Sequence, residues 1–278
     1  MKRRHIYFTL LVILGLGSTL AAQCPPPGTV FTKQAQIDAM RTQYPSCSRL
    51  EGNLVIQEAQ PGAVTSLEGL SGLNDVTGDV VIRRVRDLAS LVGLDNLQRI
   101  GGELNIQGNP RLTNFNGLGS LTSVGSQTII ANNVNLSDLS GLESLTIING
   151  SLYLRRNVKL SRLNGLASLT SIVGDLVISG NPTLLSLDGL ASLTNIGTTS
   201  PRAQLQITDN PSLQDLSGLG QLNFSALTYL EITNCPSLSG SGRSGESLCR
   251  YLSSAGRARV YGNGAGFDSV EVLRSGCN

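Results

Sequence analysis

The chain has a single histidine, His5, and it lies inside a segment that reads as an export signal. That segment has a basic start at Lys2, Arg3 and Arg4, an apolar run from Ile6 to Leu16, and small residues at Ala21 and Ala22, the three parts of a secretory leader. Removal of residues 1–22 leaves a mature chain without histidine. The usual general base and the commonest transition-metal ligand are lost together. A second long apolar run is also missing. Nothing after the leader approaches roughly 20 continuous apolar residues, so no integral membrane segment is expected after signal removal. Basic excess is missing too. The whole chain carries 21 bases and 19 acids, but with Lys2, Arg3 and Arg4 set aside 18 bases face 19 acids, a formal charge of −1. The composition offers no basic stripe for a nucleic acid, and none is expected as a partner. Gln23, which is not small, precedes Cys24, so Cys24 reads as half of a disulfide and not as a lipid-anchored residue.

What the mature chain has in abundance is a repeat. Between Thr77 and Ile196 five blocks of 24 residues follow one another without a gap, among them GGELNIQGNPRLTNFNGLGSLTSV and VGDLVISGNPTLLSLDGLASLTNI. A looser copy precedes them and two follow, one with an insertion around Thr199 to Arg202. A fixed period of this length is the signature of a solenoid. Each block opens with an alternating segment such as Leu104-Asn105-Ile106, which predicts a short strand with its outer two residues inward. Apolar residues then recur at every third position, as at Leu112, Phe115, Leu118, Leu121 and Val124. On an α-helix such a spacing winds around the cylinder, whereas at three residues per turn it lines one face, so extended or 3₁₀-like wall segments are predicted. Gly93, Gly117, Gly141, Gly165, Gly189 and Gly218 recur where a side chain would block a corner. Asn109, Asn133, Asn157, Asn181, Asn210 and Asn234 are read as stacked amides that satisfy turn backbone from coil to coil.

The pattern G-x-L-x-I-x-x-N-x-x-L-x-x-L-x-G-L-x-x-L-T-x-I resembles the receptor L-domain-like repeats of bacterial secreted and cell-surface proteins, which are similar in turn to the ligand-binding L domains of the insulin and epidermal growth factor receptors. The resemblance implies a mainly β fold: a right-handed parallel β-helix or leucine-rich solenoid of about eight coils, with small helical caps at both ends. It covers Cys24 to about Cys277. The expected organisation is a signal peptide at 1–22, an N-terminal disulfide cap at 23–50, the solenoid at 51–238 and a C-terminal cap at 239–278. In the related proteins a cysteine pair brackets a short helix at the start, which implies a Cys24–Cys47 disulfide. The residues agree with such a helix, with Thr32 a suitable N-cap, Ile37 and Met40 on one face and Tyr44-Pro45 at its end. The other end resembles the family's C-terminal cap, with a helix at Ser247 to Ser253, a strand at Arg259 to Tyr261 and a helix at Asp268 to Arg274. Cys235, Cys249 and Cys277 remain, an odd number. Related caps carry a further cysteine near the position of Phe267, absent here. Cys249 with Cys277 is the pairing adopted.

Three functional classes follow. The first is a secreted or cell-surface binding or adhesion module for an extracellular protein or glycan, with no catalytic residue, metal or cofactor. Its default surface is the outward strand positions Val81, Asn105, Ile129, Tyr153, Val177 and Gln206, flanked by Arg83 with Arg84 and Arg155 with Arg156. Aromatic residues and arginine are favoured at binding hot spots. The second is a structural spacer or assembly subunit of an envelope or matrix. The third is a polysaccharide-degrading enzyme of β-helix type, for which the adjacent Asp79 and Glu103 are the available carboxylates. Acidic residues at a glycine-rich corner are ordinary turn formers, so the enzyme reading ranks last.

Overall fold

The alternation seen in Leu104-Asn105-Ile106 becomes a strand, Leu104–Gln107, with Leu104 and Ile106 wholly buried. The computed structural model describes residues 23–197, 203–239, 245–254 and 257–275, and residues 1–22, expected to be a leader, and the insertion at 198–202 lie outside them. Among the described residues every coil contributes one strand to a ten-stranded parallel sheet whose spatial order is the chain order. The register advances by one repeat per strand, so that Asn105 pairs with Ile129, Ile129 with Tyr153, and Tyr153 with Val177. A second parallel sheet, seven-stranded among the described residues, is built from two-residue strands such as Arg99–Ile100 and Ser123–Val124. The chain is a leucine-rich-repeat-type solenoid with two parallel sheets.

The residues at every third position fill the space between the sheets. Leu112, Phe115, Leu118, Leu121 and Val124 are all at 0% exposure, and burial of each such side chain contributes roughly 1.5–3 kcal/mol. The wall is 3₁₀-helical in some coils, at Glu68–Leu70, Asn164–Leu166, Asp188–Leu190 and Ser217–Leu219. In others Gly93, Gly117 and Gly141 turn with positive φ instead. Both conformations meet one steric demand. A Cβ on Gly117 would lie 2.1 Å from the Leu91 carbonyl oxygen, and on Gly165 1.7 Å from that of Leu139. Close approach of consecutive coils, more than φ, makes glycine obligatory at this corner.

The asparagines form the expected ladder, with one correction. Asn109, Asn133, Asn157, Asn181 and Asn210 are fully buried. Each Oδ1 accepts a backbone N–H of the preceding coil, at 3.0–3.1 Å from Val85 N to Asn181 N. Each Nδ2 donates to a strand carbonyl such as Ile130 O, 2.9 Å from Asn157. Asn234 is not a member. It is exposed and has φ 57°, and the next residue, Cys235, occupies the buried ladder position, with its own N–H donated to Asn263 Oδ1 at 3.0 Å. The Asn-Cys-Pro order places the asparagine one residue early relative to the Asn-Pro coils.

At the N-terminal end the Cys24–Cys47 disulfide is present, with Cα atoms 4.8 Å apart. It brackets helical segments Gln34–Asp38 and Met40–Gln43, whose Ile37 and Met40 are buried. Thr32 is not the cap. Lys33 holds the N-cap position, and Gln36 Oε1 reaches back to accept the N–H groups of Thr32 at 2.7 Å and Lys33 at 3.0 Å. The Thr32 hydroxyl donates to the same Gln36 oxygen at 3.1 Å instead of accepting a helix N–H. At the other end stand a helix Gly245–Ser253, a last strand Arg257–Tyr261 and a helix Val270–Ser275. Cys249 is disulfide-bonded and Cys235 is free and buried. Cys277 lies outside the described residues. No helix among the described residues is long and apolar enough to cross a membrane.

Candidate binding face

Because side chains on a strand alternate, the larger sheet presents outward residues in columns one coil apart. Its middle column carries Val81, Asn105, Ile129, Tyr153, Val177 and Gln206 in register, and continues through Glu231 to Arg259. Val81, Ile129 and Tyr153 are half-buried, whereas Val177 and Asn105 are covered by their neighbours. Asn105 is only 8% exposed. Its Nδ2 donates to Glu103 Oε1 at 2.5 Å and its Oδ1 accepts from Gln107 Nε2 at 2.7 Å. Its amide is thus engaged on both sides. Gln206 donates through Nε2 to Gln204 Oε1 at 2.8 Å.

The column on one side holds Arg83, Gln107, Ala131 and Arg155 in register, with Arg84 and Arg156 beginning the turn that follows. All four arginines are exposed. Among the described residues none of them forms an ion pair, although Arg49, Arg99, Arg111 and Arg259 do. The Arg155 guanidinium lies 4.4 Å over the Tyr153 ring centre, a cation–π contact that fixes both groups. Sequence reading missed a second such pair, Arg259 over Tyr261 at 4.9 Å, since the last strand breaks the repeat pattern that draws attention to Tyr153. Nearby, burial and the Glu231 carboxylate hold the Tyr229 phenol above its ordinary pKa.

The column on the other side contains the acids, and their bonds account for them. Asp79 Oδ1 accepts the Glu103 backbone N–H at 2.8 Å, while Asn53 Oδ1 accepts the Asp79 N–H at 2.8 Å. The Glu103 carboxylate accepts from Asn105 and from Gln127 Nε2, both at 2.5 Å. Asp175 Oδ1 accepts the Gln204 N–H at 2.9 Å, and Ser151 Oγ accepts that of Asp175 at 2.9 Å. This is a second ladder of side chain to backbone across coils. The Asp79 and Glu103 carboxylates are thus both already engaged by groups of their own or neighbouring coils. Among the described residues no group of three His, Cys, Asp or Glu side chains could hold a metal ion.

Beyond the arginine column runs an open groove of about 840 Å³ with Val134, Val158, Pro182 and Pro211 along it and Arg156 and Asp209 at its rim. Val134 and Val158 are each 42% exposed.

No protein-family model matches the chain, and no curated protein matches it. Among solved structures, an internalin from Listeria monocytogenes matches at 17% sequence identity and a TM-score of 0.30, over 84% of this chain and 73% of that one.

Proposed function

We propose that this chain is a secreted or cell-surface, non-catalytic binding module of receptor L-domain type, and that the outward face of its larger sheet recognises an extracellular protein or glycan. Residues 1–22 direct export, residues 23–50 and 239–278 close the two ends, and 51–238 form the recognition scaffold. One observation carries this reading. Most polar side chains at repeating positions, the asparagines with Asp79, Ser151 and Asp175, are spent on backbone groups of neighbouring coils. Arg83 and Arg155 stand on the same sheet, with Arg84 and Arg156 at the start of the turns that follow, all four exposed and without an ion pair among the described residues. Specificity resides where coils differ, and the largest differences on this face are Tyr153 and the arginines.

The test is binding of labelled mature chain, residues 23–278, to the native cell surface or matrix. Alanine at Arg83, Tyr153 and Arg155 together is expected to weaken binding at least tenfold. Unchanged binding by that variant would remove this face from the account.

A further inference from the structure

The four arginines form two matched pairs, and the backbone beneath them is unusual. Arg84 and Arg156 have φ of 55° and 53°, at a turn position that the intervening and following coils give to Gly108, Asn132, Gly180 and Asp209. Left-handed backbone is uncommon for a long side chain and carries an energetic cost that persists only where something else favours it. In both cases the residue one coil later is glycine. A Cβ built on Gly108 would lie 3.6 Å from Arg84 Cγ, and one on Gly180 3.3 Å from Arg156 Cγ. Each arginine Cγ therefore sits beside the space that glycine leaves open on the next coil. The pairing of an arginine with a glycine one repeat later occurs twice in the sequence, three coils apart.

The charge around these pairs is one-sided. In the turn column an acid precedes Arg84, at Glu58, and the next is Asp209. The Glu58 carboxylate is occupied by the N–H groups of Gly62, Val64 and Arg86, and Asp209 by Asn234 Nδ2. Between Arg84 and Arg156 the two columns offer Gln107, Gly108, Ala131 and Asn132, which are neutral and include two amides. At a coil spacing of about 4.8 Å the pairs stand roughly 14 Å apart. A ligand crossing the sheet meets one pair, and only one lying along the stack meets both.

Resting on the binding-module reading above, we propose that the ligand is a linear polysaccharide bearing carboxylate groups, lying along the coil axis. One uronate carboxylate is held by Arg83 and Arg84 and another by Arg155 and Arg156, with the sugar hydroxyls between them meeting Gln107 Oε1, whose Nε2 is held by Asn105, and the Asn132 amide. Arginine forks suit planar carboxylates. The strip has no free strand edge along which a peptide could add by main-chain bonds.

The experiment measures binding of the mature chain to polygalacturonate, with uncharged dextran, dextran sulfate and polyglutamate as comparison arms. Wild type is expected to bind polygalacturonate, with affinity falling as salt rises, and to bind dextran negligibly. The variant Arg84→Gly/Arg156→Gly is expected to bind at least tenfold more weakly with a shallower salt dependence. Glycine is chosen because neighbouring coils use it there, and a melting temperature at or above that of wild type verifies folding. The assignment is overturned if wild type ignores polygalacturonate, if the double variant binds it as tightly, or if dextran sulfate or polyglutamate is preferred. Retained binding of the double variant to the native surface would sink this ligand while leaving the broader module intact. Absent surface binding by wild type would sink the broader reading itself.

Discussion

Asn157 Oδ1 accepts the backbone N–H of Asn133 at 3.1 Å, one coil earlier in the chain, in a position from which water is excluded. The same side chain donates to Ile130 O at 2.9 Å, so one amide satisfies two buried backbone groups. Replacing it leaves both without partners, and an unpaired buried group costs about 1–3 kcal/mol. Asn157→Ala is therefore expected to destabilise the chain by about 3 kcal/mol, read as a lower urea midpoint. A loss below about 1 kcal/mol would mean that the ladder is dispensable.

The corner glycines answer to a different force. Gly165→Ala places a methyl 1.7 Å from the Leu139 carbonyl oxygen, and relief requires two coils to separate. A cost of about 3 kcal/mol or more is expected from such overpacking. Gly119, with nothing within 4 Å of its would-be Cβ, serves as the control. Gly119→Ala is expected to be neutral or stabilising by about 0.5 kcal/mol, and equal losses at both sites would contradict the steric explanation.

Cys235 stands where other coils have asparagine, and burial pushes its thiol up to about 11 from 9.0. Two units lower the thiolate fraction at pH 8 about a hundredfold, and thiolate is the reactive form. Iodoacetamide labelling of the folded chain is expected to be at least that much slower than of the urea-unfolded chain, and to rise close to a hundredfold between pH 8 and pH 10. A rise of only about tenfold over that range would place the thiol in solvent.

Much of this was legible in the sequence because the repeat is regular. Leu112 to Val124 at every third position gave the wall, and Leu104-Asn105-Ile106 the strand. The Asn234 misplacement shows the limit: identity at a neighbouring position hides a slip of one residue when a cysteine takes the buried slot. The helix starts one residue later than Thr32 implied, at a Lys33 N-cap, because the backward reach of Gln36 to the Thr32 and Lys33 N–H groups is a side-chain choice that the sequence leaves open. The engagement of Asn105 was equally hidden, since its partners Glu103 and Gln107 lie along its own strand and no repeat pattern marks them.

Arg156 is held in left-handed backbone that glycine adopts freely. Arg156→Gly is expected to raise stability by up to about 1 kcal/mol, measured by denaturant unfolding, because relief of the strained φ outweighs the added chain entropy. A loss greater than about 1 kcal/mol would show that the arginine stem is a structural support for Gly180 and its coil.

The central claim is that regular positions build the solenoid and irregular outward positions give it specificity. Its most direct test is one variant, Arg83→Thr/Ile129→Thr/Tyr153→Thr/Arg155→Thr, assayed for native-surface binding beside its melting temperature. Threonine suits an exposed strand, so melting within about 3 °C of wild type is expected together with loss of binding. Full binding by this folded variant would contradict the claim.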